Sequence, residues 1–317
     1  MSSQSQPVGV AKLDLEKDEP LRTKSLWEKA MYRIRRDRLT LLAMGVLVFL
    51  AVISLLAPLI SEYILQVDYT KPNLRANYLP PGTPGHILGT DEAGRDHLAR
   101  LLYGGQVSLA IGFSAAFLSL AIGVSMGAVM GYFGGIIDDL MIWFITTLNS
   151  IPTLFLLLMI NALLSPGPVS LILVLSFLGW TGTARLVRGE TISLKEREYA
   201  LAAQAIGASP WRIMFAHIVP NIFSLLIITL AGAIGGLILI ESGLSFLGFG
   251  VKPPTPTWGN MLSGGLDLLR RAPYLVIAPG LLITVTVLCL YIIGDGLRDA
   301  FDPRIEDYAK MDSDDEE

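Results

Sequence analysis

Ile222-Phe223-Ser224-Leu225-Leu226-Ile227-Ile228-Thr229-Leu230-Ala231-Gly232-Ala233-Ile234-Gly235-Gly236-Leu237-Ile238-Leu239-Ile240-Glu241-Ser242-Gly243-Leu244-Ser245-Phe246-Leu247 holds a single ionisable residue, Glu241. A helix needs about 20 apolar residues to cross about 30 Å of hydrocarbon. In lipid the backbone of such a run must satisfy its own hydrogen bonds, so it folds as a helix. Five further runs read the same way: Leu39 to Ile60, about Val107 to Tyr132, about Leu140 to Leu164, about Val169 to Val187, and about Tyr274 to Ile293. The expected fold is all-α, a polytopic membrane bundle of about six transmembrane helices.

Composition agrees. The chain has 317 residues, is 52% hydrophobic and only 16% charged, where soluble domains carry roughly a quarter charged residues. The formal net charge of -4 owes much to the acidic end, Met311-Asp312-Ser313-Asp314-Asp315-Glu316-Glu317. The lone Cys289 excludes an intrachain disulfide and any cysteine cluster. His86, His97 and His217 are spread along the chain, and no metal site is expected. A polar stretch of more than thirty residues precedes the first run, so that run is expected to stay in place as a signal anchor rather than be cleaved.

The flanks orient the bundle. Arg33, Arg35, Arg36 and Arg38 stand directly before the first run, which places the N-terminus in the cytoplasm. Six crossings then return the C-terminus, with Arg298 and Arg304, to the same side, together with the loop carrying Arg188, Lys195, Arg197 and Arg212. Asp138 and Asp139 make the loop between the second and third runs a mild exception. The expected divisions are a cytoplasmic arm over 1–38 (with an amphipathic stretch at Leu26 to Ile34), a first helix over 39–60 and a Pro/Gly-rich external segment over 61–104. A permease core over 105–298 contains a cytoplasmic loop at 188–216, and an acidic tail fills 299–317.

That loop contains Glu198-Tyr199-Ala200-Leu201-Ala202-Ala203-Gln204-Ala205-Ile206-Gly207-Ala208-Ser209-Pro210-Trp211-Arg212-Ile213. Arg197 to Ala205 is rich in strong helix formers. Gly207 can adopt the left-handed conformation that ends a helix. Ser209 can cap a second helix with Pro210 at its first position. The expectation is a helix-turn-helix at the mouth of the fifth run. On the residues alone, a plain connecting loop with a helical turn is the commoner structure for such a stretch.

Ala202-Ala203, three residues, Gly207 and then Pro220 resemble the docking loop of ABC-importer permeases, with Leu201 where that motif often has Glu. The likeness continues through Trp180 to Arg185, Arg188, Leu194, Tyr199, His217-Ile218 and Pro220-Asn221. It also covers Leu88 to Asp96, Arg100 to Gly104, Gly131 to Gly135, Ser150-Ile151-Pro152, Glu241 to Gly248 and Pro253 to Gly259. Together these resemble the C-type subunit of the oligopeptide/dipeptide importers over roughly residues 30–305. The resemblance implies a type I ABC-importer permease fold in the cytoplasmic membrane. It implies a second homologous permease subunit, two ATPase subunits and an extracytoplasmic substrate-binding protein as partners, with no nucleic acid. Peptides are the implied cargo; nickel complexes or oligosaccharides are carried by similar permeases. The chain itself should be no enzyme and bind no cofactor. It has no G-x-x-x-x-G-K-[ST] phosphate loop, so ATP and Mg would be held by the partner ATPases. Tyr199, Ala202, Ala203, Gln204, Ala205, Gly207, Ala208, Ser209 and Arg212 are the implied ATPase-docking residues.

Other positions admit two readings. Glu241 either lines the pathway or sits at the interface and caps the external segment. Asn149 and Asn161 either line a polar path or hydrogen-bond between helices. Asp91, Arg95 and Asp96 either face the binding protein or form a local turn network, and Trp258 is expected to face the binding protein. Gly123, Gly127 and Gly131, and separately Gly232 and Gly236, have the spacing of helix-packing faces. Pro152 is expected to kink the third run. An ion-driven secondary transporter would need acids at mid-membrane, and no span has one at its centre. An intramembrane enzyme would need a Ser/His or paired-Asp constellation, which the sequence does not supply at membrane depth.

Overall fold

A computed structural model describes residues 26–163 and 167–302. The arm before Leu26, the tail from residue 303 with Arg304, and the Asn161 side chain lie outside the described residues. Helix α1, Leu26–Arg36, is the expected amphipathic stretch. Its Ala30 and Ile34 are buried against Ala300, and Arg33 donates to the carbonyls of Ala300 at 3.2 Å and Asp302 at 2.7 Å. Asp37 then caps α2, Arg38–Leu55, by accepting from Leu39 N and Thr40 N. Hydrogen bonds from Thr40, its hydroxyl first, hold the Asp37 carboxyl below the usual carboxylate range.

Helix α3, His97–Phe133, is 37 residues long, about 55 Å at 1.5 Å per residue. It starts ten residues before the apolar run, so the last part of the 61–104 segment, His97 to Gly104, is already helical. Hydropathy misses these turns because they carry His97 and Arg100. Asp96 starts them by accepting from Ala99 N at 2.8 Å. Gly134, at φ 64°, ends α3.

The third run is not one straight span. Helix α4, Gly135–Ser150, and helix α5, Thr153–Leu163, meet at an 86° bend. Ile151 is extended at φ -90°, ψ 129°, as a residue before proline prefers, and Pro152 has no N–H to continue the ladder. The expected kink is therefore a break. Helices α6 (Pro168–Leu194), α7 (Glu198–Ala205), α8 (Phe223–Phe246), α9 (Gly265–Arg271) and α10 (Tyr274–Phe301) follow. Among the described residues, five helices are long and apolar enough to cross a membrane, or six if the bent pair is one span.

The most extensive pairing is α3 on α6. A Cβ on Gly123 would lie 2.6 Å from Thr183 Cβ, on Gly127 2.5 Å from Ala184 O, and on Gly131 2.6 Å from Thr191 Cβ. None of the three sites accepts a side chain. Ser119 Oγ donates to Ser176 O at 3.2 Å, and Ser176 Oγ to Ala115 O at 3.3 Å, across the same seam. The second glycine series behaves differently. Gly232 and Gly236 have nothing within 4 Å, and Gly235 instead faces Leu290 and Val287. Their spacing marks a face, but within this chain it is not a packing face. Helix α8 lies against both α3 and α10, and Ile111, Ala115, Leu171, Leu175, Ile238 and Leu290 join in one buried core.

Gly127→Val should therefore cost about 3 kcal/mol, the upper end for overpacking, and lower the unfolding temperature of the detergent-purified protein. Gly189→Ala, in α6 with nothing within 4 Å, should be neutral or stabilising by about 0.5–1 kcal/mol.

Candidate functional site

The helix-turn-helix forms as its residues dictate. Helix α7 closes with paired bonds, Gly207 N to Gln204 O and Ala208 N to Ala203 O, both at 3.0 Å. This closure requires a left-handed residue, and Gly207 supplies it at φ 82°. Ser209 caps the next turn, Pro210–Arg212, by accepting from Arg212 N. A wider helical turn, Ile213–Ile218, leads on toward α8. We call the unit 198–212 the hook.

The hook has an inner and an outer face. Ala200 and Ala203 are buried with Ile213 and Ile218, against Tyr132 of α3 and Leu194 of α6. Ala203 is thus part of the mount, not of a free surface. Ala202, Gln204, Ala205, Gly207, Ser209 and Arg212 are exposed, Tyr199 is at the margin of exposure, and Ala208 is half-buried. Ile206 is 87% exposed and was not among the expected docking residues. Its signal in the sequence is an isoleucine directly before a helix-ending glycine, where a soluble loop would carry a polar residue. Trp211 stacks on Phe215 at 6.0 Å and meets Phe133 at the end of α3 at 6.3 Å.

The mount is braced by charge. Arg188 of α6 grips Asp138 of α4 with two hydrogen bonds of 2.5 Å, the bidentate fork that suits guanidinium and carboxylate. Lys195 Nζ donates to Gly131 O at 3.0 Å. His217 is half-buried, and its backbone carbonyl accepts from Asn221 Nδ2 at 2.6 Å.

The opposite end of α3 carries a polar network. Asp91 accepts from Ala93 N, Arg95 N and Arg95 Nε at 2.8–2.9 Å and pairs with Arg100 Nε at 3.3 Å. Asp96 divides its oxygens between the α3 start and His86 Nδ1 at 2.9 Å. Both carboxylates are buried, and Arg95 is half-buried, so the turn-network reading describes their contacts. Tyr274 ties α10 to the same segment, its hydroxyl donating to Leu79 O at 2.8 Å. Trp258 does not face outward. It is 1% exposed, with Nε1 donating to Leu101 O at 2.9 Å; its aromatic surface is core, and only its one donor needed a partner.

Glu241 is also enclosed, at 0% exposure. Its Oε1 accepts from Ser245 at 2.8 Å and its Oε2 from Ser108 at 3.4 Å. Ser108 Oγ in turn accepts from Trp258 N at 3.1 Å. The carboxyl thus links α8, α3 and the 248–263 segment, and no path opens onto it within this chain. Asn149 sits exposed at the end of α4, beside the bend. Among the described residues no three His, Cys, Asp or Glu side chains are grouped as metal ligands.

These features define a polytopic membrane protein with a buried polar network at one end of its longest helix. Residues 123–307 match the binding-protein-dependent transport system inner membrane component family, and residues 25–81 match the N-terminal TM domain of oligopeptide transport permease C. The oligopeptide transport system permease protein OppC of Bacillus subtilis is 37% identical over 281 residues, 89% of this chain and 90% of its own. The dipeptide transport system permease protein DppC of Haemophilus influenzae is 37% identical over 280 residues, 87% of this chain and 94% of its own. A chain of the MetNI methionine ABC transporter aligns over 63% of this chain and 96% of its own, with 19% identity and a TM-score of 0.49. This chain belongs to the oligopeptide/dipeptide ABC-importer permeases.

If Glu241 is a structural linker, Glu241→Ala should destabilise the protein by about 1–3 kcal/mol, because two hydroxyls lose their acceptor. Glu241→Gln, which keeps one acceptor, should cost less. Thermal unfolding of the two variants checks this. Total uptake should fall no further than the folded fraction does.

Proposed function

We propose that this chain is one of two permease subunits that together form the pathway of an ATP-driven importer for peptides. It resides in the cytoplasmic membrane with both termini in the cytoplasm. The cargo is inferred from relatives described as oligopeptide and dipeptide permeases. The observation that carries the mechanism is the hook: a short helix-turn-helix, apolar on its outer tip at Ile206, seated on the ends of the two most extensively packed spans.

The hook is the docking element for an ATPase subunit. A rigid mount is what such a role needs, because only a braced element passes a displacement on to the spans as a rigid body. The inner face (Ala200, Ala203, Ile213) supplies the mount, and Ala202 and Ile206 supply the contact. ATP and Mg are bound, and ATP hydrolysed, by the partner subunits. A binding protein delivers cargo on the side where Asp91, Arg95 and Asp96 lie.

Topology supports this orientation. Trp27 of α1 touches Phe223 at the start of α8 and Phe301 at the end of α10, at 5.7 and 5.1 Å between ring centres. The arginine-rich α1, the hook's exit and the C-terminal end therefore share one side. Basic flanks favour the cytoplasm for that side. Asn149, exposed at the 86° bend, is the candidate pathway residue of the described chain, because a broken helix puts polar backbone and side chains where a water-filled route passes.

Gly207→Trp should abolish uptake in vesicles reconstituted with all subunits, while binding-protein affinity for peptide stays unchanged. The bulky residue is strained at φ 82° and distorts the hook tip. Normal uptake by this variant would refute the docking role.

A further inference from the structure

Far from the hook, the α3 start, the C-terminal end of α8, the 248–263 segment and the starts of α9 and α10 enclose a cavity of about 210 Å³. Its charged lining is unbalanced. Arg95, Arg100 and Lys252 face it, against Asp91 and Glu92. The next carboxylate, Asp96, is not part of the lining and is hydrogen-bonded to His86 and the helix start. Asp91 shares its single charge between two guanidiniums and two backbone N–H groups. One positive charge is left over.

The uncompensated donors are buried. Arg100 is 5% exposed and its Nη1 has no hydrogen-bond partner; His97, beside it, is 1% exposed and its Nε2 has none. Both side chains line the cavity. Burying a guanidinium without filling its donors costs several times what a neutral group would cost, and such a residue persists where something meets it. The remaining lining mixes Ser245, Asn260 and Ser263 with apolar Val251, Leu268 and Leu275.

We propose that this cavity binds a phosphate group, with Arg100 as its principal donor, Lys252 at the rim and His97 completing the contact. A singly charged phosphodiester matches the surplus charge, and its oxygens match guanidinium donors. His97 contributes as a donor, in the tautomer that carries its hydrogen on Nε2, because a phosphodiester anion only accepts. The phosphate is borne by a lipid headgroup or is free in solution; the apolar part of the lining, at the end of the spans, suits the former. The inference is independent of the hook's role and of the cargo.

The test uses the full-length permease, delipidated in detergent. It is titrated with inorganic phosphate and, separately, with dihexanoyl phosphatidylglycerol, at ionic strength matched with sodium chloride, and read by calorimetry and unfolding temperature. Saturable binding should weaken at least about tenfold in Arg100→Gln, the scale of a lost charged hydrogen bond. It should weaken about two- to threefold in Lys252→Gln, the scale of a lost exposed ion pair. Binding of both probes with that variant pattern identifies a free-phosphate site that lipid also fills. Binding of the lipid alone with the same pattern identifies a headgroup site. Lys252 is exposed, so its variant folds even if Arg100→Gln does not, and the pattern can be read from it alone. No saturable binding of either probe, or binding unchanged in the variants that fold, overturns the proposal.

Discussion

Everything else in the molecule hangs on the close approach of α3 to α6. In lipid there is no water to squeeze out between helices, so association relies on contact, and contact here depends on Gly123, Gly127 and Gly131 carrying no side chain. Each glycine meets a β-branched residue or a backbone carbonyl of α6 at a distance that leaves no room for a Cβ. The seam makes two helices into one body. Because α3 runs on for 37 residues, that body reaches from the buried network at one end to the hook at the other.

Both ends of α3 anchor the segments around them. At one end Tyr132 and Leu194, the last turns of the pair, form the seat for Ala200, Ala203 and Ile213, and Lys195 locks the seat to Gly131. The Arg188–Asp138 fork fixes where α4 leaves, and so sets the direction in which the broken third span departs. At the other end, Glu241, Ser108 and Trp258 replace apolar contacts with a closed set of hydrogen bonds. Buried polar groups that are fully partnered specify one arrangement of the segments around them. The hook is thus packed and hydrogen-bonded onto the ends of its span pair.

Much of this was legible in the sequence. Six apolar runs gave the spans, and Gly207, Ser209 and Pro210 specify the hook because each answers a local backbone requirement. What was not legible concerns direction and partners. Hydropathy could not extend α3 back to His97, because the charged Arg100 is buried there and pairs with Asp91 of the preceding segment. The spacing of Gly232 and Gly236 is the same as that of Gly123 and Gly127, yet only the latter pair meets a neighbour, since spacing defines a face but not what lies opposite. Trp258 and Ala203 read as surface from their motifs and are interior. Ile206 was passed over because an apolar residue at a helix end is ordinary until the fold shows it standing in the open.

The hook is proposed as the contact through which a separate ATPase acts on this chain. Cys289 is the sole cysteine and is replaced by alanine. Ile206→Cys, at the hook tip, and Leu266→Cys, 80% exposed at the far end of the molecule, are each introduced into the assembled transporter. A short thiol cross-linker is then applied. An adduct is expected between Ile206→Cys and an ATP-hydrolysing subunit, with a yield that changes when nucleotide is added, and none from Leu266→Cys. No adduct at Ile206→Cys, or equal adducts from the two positions, would contradict the docking role.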